Sequence, residues 1–115
     1  MNLQVDWKEE YEKEITLAIQ ARASGNEGMA RVCARRAAGI VIGEYLTCHG
    51  YTNITNSAYG RLVFFIKLPN VDQDIKVIAS HFLVKVNPDH KLPIAADLID
   101  EAKRLEKLLI NDQQS

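Results

Sequence analysis

Residues 26–49, NEGMARVCARRAAGIVIGEYLTCH, decide the fold. Ala30, Ala34, Ala37, Ala38 and Gly43 recur through this stretch. So many small side chains along one helix let neighbouring helices approach it closely, so it should be the central helix of an all-α domain. Gly50 is its natural left-handed terminator, and His49 sits in the last turn, where the helix dipole favours a protonated ring. Ser24 and Glu27, with Gly25 between, read as the capping signal that opens it.

The chain around it punctuates into four more helices. Asp6 followed by Glu9 opens the first, in which Trp7, Tyr11, Ile15 and Ala18 form a stripe that ends near Ala23. With so short a connection, helices 1 and 2 should pack antiparallel. The third runs from about Ser57 to Lys67 and stops before Pro69. The fourth starts after Asn70 or Asp72 and carries Ile75, Ile78, Ala79, Phe82, Leu83 and Val86 at helical spacing, ending near Asn87-Pro88. Pro93 opens the fifth, where Ala95, Leu98, Ile99, Ala102, Leu105 and Leu109 give the cleanest 3-4 pattern in the chain. A strand reading of 61–68 and 75–86 fails because neither segment alternates cleanly. The expectation is therefore a single domain over 1–115, ordered from about 6 to 110, built as an antiparallel bundle of about five helices.

Composition narrows the function classes. The 115 residues are 47% hydrophobic and 25% charged, the balance of a globular domain. No apolar run approaches the roughly 18 residues of a membrane span, and Met1 to Glu10 does not resemble a secretory signal, so a cytoplasmic location with no membrane contact is expected. Cys33 and Cys48 fall on one helix, about 22 Å of rise apart, too far for a disulfide. Without C-x-x-C spacing, no metal or cofactor is expected. A net charge of −1 gives no global field for phosphates, so nucleic-acid binding requires a local patch. Arg31, Arg35 and Arg36, with Arg22 nearby, are the only basic concentration; Arg31 and Arg35 share a face, although no aromatic is interleaved there to stack on bases.

Helix 4 is apolar on two sides, because Val77, His81 and Val84 cluster opposite the main stripe. A two-faced helix is either buried in the centre of the bundle or lies between the bundle and a second subunit, and in so small a protein it points to a homodimer interface through those three residues. Asp97, Asp100 and Glu101 on helix 5, followed by Lys103 and Arg104, read as a solvated outer face, and His49 and His90 as ordinary surface residues.

The run from Cys33 to Leu46 resembles the second helix of the HEPN superfamily, which carries an Ala-rich segment there. Lys91-Leu-Pro-Ile-Ala-Ala-Asp-Leu-Ile-Asp-Glu-Ala-Lys-Arg-Leu105 is similar to the last helix of such proteins, and the likeness in helix order covers nearly the whole chain. The resemblance implies a helical bundle that often dimerises, in a superfamily of metal-independent ribonucleases and of partners of small nucleotidyltransferases in toxin–antitoxin pairs. The family's active site is an Arg, four to six residues, then a His. This chain lacks that motif. Its closest match is Lys76-Val-Ile-Ala-Ser-His81, followed by Phe82, with Lys in place of Arg. Cleavage of RNA needs a base for the 2′-OH proton and a cation for the phosphorane charge; His81 could be the base, but Lys76 lacks the two-pronged guanidinium. Five residues also separate the two by about 140° around one helix. The sequence thus points to a non-catalytic HEPN-like dimeric module for protein or nucleic-acid interaction, with a nucleotidyltransferase as an expected partner in a toxin–antitoxin-type system and RNA as the expected nucleic acid; the alternative is a divergent metal-independent ribonuclease using His81 and Lys76.

Overall fold

A computed structural model describes residues 6–88, 91–92 and 94–110. It contains five helices: α1 Trp7–Ala23, α2 Glu27–Cys48, α3 Ala58–Ile66, α4 Gln73–His81 and α5 Leu98–Leu109. No strand occurs among the described residues, and no helix is long and apolar enough to cross a membrane.

As the small residues require, α2 is central and packs against α1, α3 and α5. Its Ala34, Ala37, Ala38, Val41, Ile42 and Leu46 are fully enclosed, with Tyr11, Ile15 and Ala18 from α1 and Leu98, Ala102 and Leu105 from α5. The approach of α3 is close. A Cβ on Gly39 would lie 2.7 Å from the Ala58 Cβ, and one on Gly43 would run into the Arg61 guanidinium. Glycine at these two positions lets α3 lie directly on α2.

The helix ends follow local chemistry. Asp6 caps α1 by accepting from the Lys8 N–H at 2.9 Å. Ser24, expected to open α2, instead closes α1: its hydroxyl donates to the Gln20 carbonyl. Gly25 then turns the chain at φ +81°, the Asn26 N–H returns to Ala21 O, and Asn26 itself caps α2 by accepting from Met29 N–H. Gly50, at φ +85°, ends α2 by the same device, with Tyr51 N–H on Leu46 O.

Two expected boundaries move. Helix α4 ends at His81 and not near Asn87. The Phe82 carbonyl, which a continuing helix would offer to Val86, accepts instead from Arg35 Nε at 3.0 Å, and Pro88 disfavours helical backbone at Asn87. Val86, placed in the buried stripe by its spacing, is accordingly exposed. Val84 lies beyond the helix, so Val77, His81 and Val84 do not form one helical face, and the two-faced helix inferred from sequence spans only residues 73–81. Helix α5 begins at Leu98, because Asp97 accepts from the N–H groups of Ile99 and Asp100. Ala95 is therefore not helical. Pro93, His90 and the stretch after Asn111 lie outside the described residues.

Candidate functional site: a cation-lined trough along α2

The outward side of α2 borders two adjacent hollows. The first, about 640 Å³ and open to solvent, is bordered by α1, α2 and the start of α3; Lys13, Arg35, Arg36, Arg61, Glu10, Glu14, Asn56 and Tyr59 are in its wall. The second, about 790 Å³, lies at the start of α2, where Arg31, Arg35 and Glu27 meet Val84, Lys85 and Val86 from the segment after α4. Val32 and Arg35 belong to both walls, so the two hollows lie side by side along α2, and the pair is called the trough below.

The trough concentrates positive charge on a chain whose net charge is −1. Its walls hold six cationic residues, Lys13, Arg31, Arg35, Arg36, Arg61 and Lys85, against three carboxylates, Glu10, Glu14 and Glu27, a local balance of +3. Glu27 is already bound by Arg22 through paired contacts at 3.0 and 2.8 Å. Arg22 also reaches Asp97 at 2.9 Å, tying the α1–α2 turn to the start of α5. The Arg22 guanidinium holds the Glu27 carboxyl below its usual range. For Asp97 burial pushes up, but the hydrogen bonds from Arg22 and from backbone N–H groups outweigh it, and the net shift is downward.

The arginines divide by what they hold. Arg61 donates from Nε to Thr55 O at 2.7 Å and from Nη1 to Gly39 O at 3.0 Å, so it is part of the α2–α3 seam. Burial lowers its pKa, with Glu10 acting the other way, yet a guanidinium remains charged. Arg35 secures the end of α4. Arg36 is exposed. Beneath them, Cys33 is buried, and burial first and the Glu14 carboxylate second raise its thiol pKa. One oxygen of Glu14, Oε1, is enclosed with no hydrogen-bond partner among the described residues.

The sequence-derived basic cluster is thus brought together: Arg31 and Arg35 wall the second hollow, Arg35 and Arg36 the first. Lys13 joins them from α1 through the packing of α1 on α2, which no local pattern around it shows. Tyr59 and Arg61 arrive through the Gly39–Ala58 contact, which no local pattern shows. An aromatic therefore does accompany the arginines, from a different helix.

A second cluster joins α4 to α5. His81 Nδ1 lies 2.5 Å from Glu101 Oε1, and Arg104 reaches the other oxygen, Oε2, at 3.4 Å. Glu101 is only 8% exposed, which corrects the solvated outer face read from the sequence. The signal was present: Glu101 is three residues after Leu98 and four before Leu105, inside the apolar stripe. Lys76 is not part of this cluster. Val77 is 43% exposed on the same helix. Among the described residues no group of three side chains has metal-ligating proximity. No family model matches the chain, and no curated protein or solved structure matches it either.

Proposed function

We propose that this chain is a non-catalytic, nucleic-acid-associated helical module of HEPN-like architecture, and that the trough along α2 is the surface it uses. The observation that supports the reading is the collection of six cations from α1, α2, α3 and the segment after α4 on one concave side of a protein with net charge −1. Cations gathered in a hollow with low-dielectric walls focus the field on it, and a phosphodiester strand entering it releases its counterions. The test is a titration of mixed-sequence RNA at 50 and 200 mM salt, followed by anisotropy. Three or four phosphate contacts give a log–log salt slope of about −2 to −3 on a single strand, and Arg31→Glu with Arg36→Glu abolishes binding at both concentrations. Absence of binding at 50 mM salt, or binding that survives the double substitution, refutes the reading.

The same proposal includes self-association through α4, supported by the exposed Val77 one turn from His81. It also includes a small nucleotidyltransferase as partner, in the manner of toxin–antitoxin pairs, a reading that rests on the sequence resemblance of residues 33–46 and 91–105 to HEPN helices. In sedimentation, Val77→Glu should turn a dimer into a monomer; a wild-type monomer at high concentration removes this part.

One observation favours a second reading, a divergent metal-independent ribonuclease. With Nδ1–H donating to Glu101, the other ring nitrogen of His81, Nε2, is the one left to act as a base, and the Arg104 guanidinium lies just beyond the carboxylate. RNA cleavage in chelator that disappears in a folded His81→Ala variant would establish it in place of the non-catalytic reading.

A further inference from the structure

Tyr59 is the second residue of α3 and is 62% exposed, the most exposed of the large hydrophobic side chains among the described residues. Among the described residues its ring stacks on no other aromatic ring. Its backbone, in contrast, is held firmly. Ser57 caps the helix by accepting from Gly60 N–H, Ala58 is seated on Gly39, and Arg61 bonds to Gly39 O and Thr55 O. A flat ring is thus held by a fixed backbone at the wall of the first hollow, a wall it shares with Arg36 and Lys13, the two cations there that Thr55, Gly39 and Phe82 carbonyls do not occupy.

Resting on the nucleic-acid reading above, we propose that the first hollow takes a single strand, with one base stacked on Tyr59 and the adjoining phosphates met by Arg36 and Lys13. A positively charged groove combined with an aromatic platform is how single strands are held without sequence readout, since every base has a π-face. A duplex does not fit this arrangement: its base faces are stacked on one another, so it shows the protein backbone and base edges and leaves no face for a ring in a hollow wall to stack on. Asn56 shares the wall with Tyr59 and offers one acceptor and two donors, enough to bias which base occupies the platform.

The experiment compares labelled eight-residue RNA, DNA of the same sequence, the corresponding duplexes, and heparin, a polyanion without bases, on the wild type, Tyr59→Ala, Tyr59→Phe and Arg36→Glu. Tyr59→Ala should weaken both single strands roughly tenfold, the worth of one base stack, while leaving heparin unchanged, and Tyr59→Phe should retain wild-type affinity. RNA and DNA single strands should respond alike, because stacking does not use the 2′-OH; a loss confined to RNA would overturn the stacking account. Arg36→Glu should weaken every ligand, heparin included. Duplex bound as tightly as single strand, or Tyr59→Ala indistinguishable from wild type, overturns this inference while leaving the trough as a polyanion site. Loss of heparin and strand binding alike in the wild type would refute the underlying function. Because Tyr59 is mostly in solvent, its replacement does not threaten the fold.

Discussion

Gly39→Ala is the substitution that most sharply tests how the trough is assembled. In the interior of a helix this change ordinarily stabilises, by about 0.5–1 kcal/mol, because alanine loses less backbone entropy. At Gly39 the new methyl would lie 2.7 Å from the Ala58 Cβ and 2.8 Å from its Cα. Carbon atoms pack at about 3.5–4.0 Å, so α3 must retreat by roughly 1 Å. Overpacking of this kind costs about 1–3 kcal/mol, and the retreat also stretches the Arg61 bond to Gly39 O, worth about 1 kcal/mol. The propensity gain is outweighed, and the net expectation is a loss of about 1–2 kcal/mol, or about 4 °C in Tm per kcal/mol for a domain of this size. Urea unfolding followed by circular dichroism measures it. Gly28→Ala supplies the control, because a Cβ there meets nothing nearer than 3.8 Å and should leave stability equal or slightly raised. Combining Gly39→Ala with Ala58→Gly should recover part of the loss, since the Cβ–Cβ clash is removed. A Gly39→Ala protein as stable as the wild type would refute the close α2–α3 seam, and with it the position of Tyr59.

Three further outcomes are expected. Arg22→Met should lower stability at pH 7 by up to about 1 kcal/mol, the modest figure its exposed bridges warrant. The Glu27 and Asp97 carboxyl pKa values are depressed in the folded state, so their contribution is present above the unfolded carboxyl range and is lost as pH falls through the folded values; the gap between wild type and variant should close in acid unfolding. Asp97→Ala, which also removes the α5 cap, should cost about 1 kcal/mol, and hydrogen exchange should rise first at Ile99 and Asp100. Tyr11 has its pKa pushed up to about 12, by burial first and then by Glu106 and Glu12. A raised folded pKa means stability present below pH 10 and lost as pH rises, so ultraviolet titration should show one tyrosine ionising last, and Tyr11→Phe should lessen alkaline unfolding.

The physical origin of each feature explains how far the sequence reached. Small residues along 30–43 and the apolar stripes of α1 and α5 are periodic and local, and the helices they announce are present. The ends of α4 and α5 were misplaced because competing contacts set them. Arg35, forty-seven residues away, takes the Phe82 carbonyl, and the Asp97 side chain, read as surface charge, is a cap. Glu101 is the opposite case, a residue whose helical position announced burial while its charge argued for solvent. The basic cluster at Arg31, Arg35 and Arg36 was legible, whereas Tyr59, Arg61 and Lys85 reach the trough through packing between separate elements.

Entry of a nucleic-acid strand into the α2 trough is open to direct observation by amide and side-chain chemical-shift mapping during titration with a short single-stranded oligonucleotide. Shifts should concentrate at Lys13, Arg31, Arg35, Arg36, Tyr59 and Lys85 and saturate together. Changes confined to the α4–α5 side around Val77 and Arg104, or no changes at all, would contradict the account.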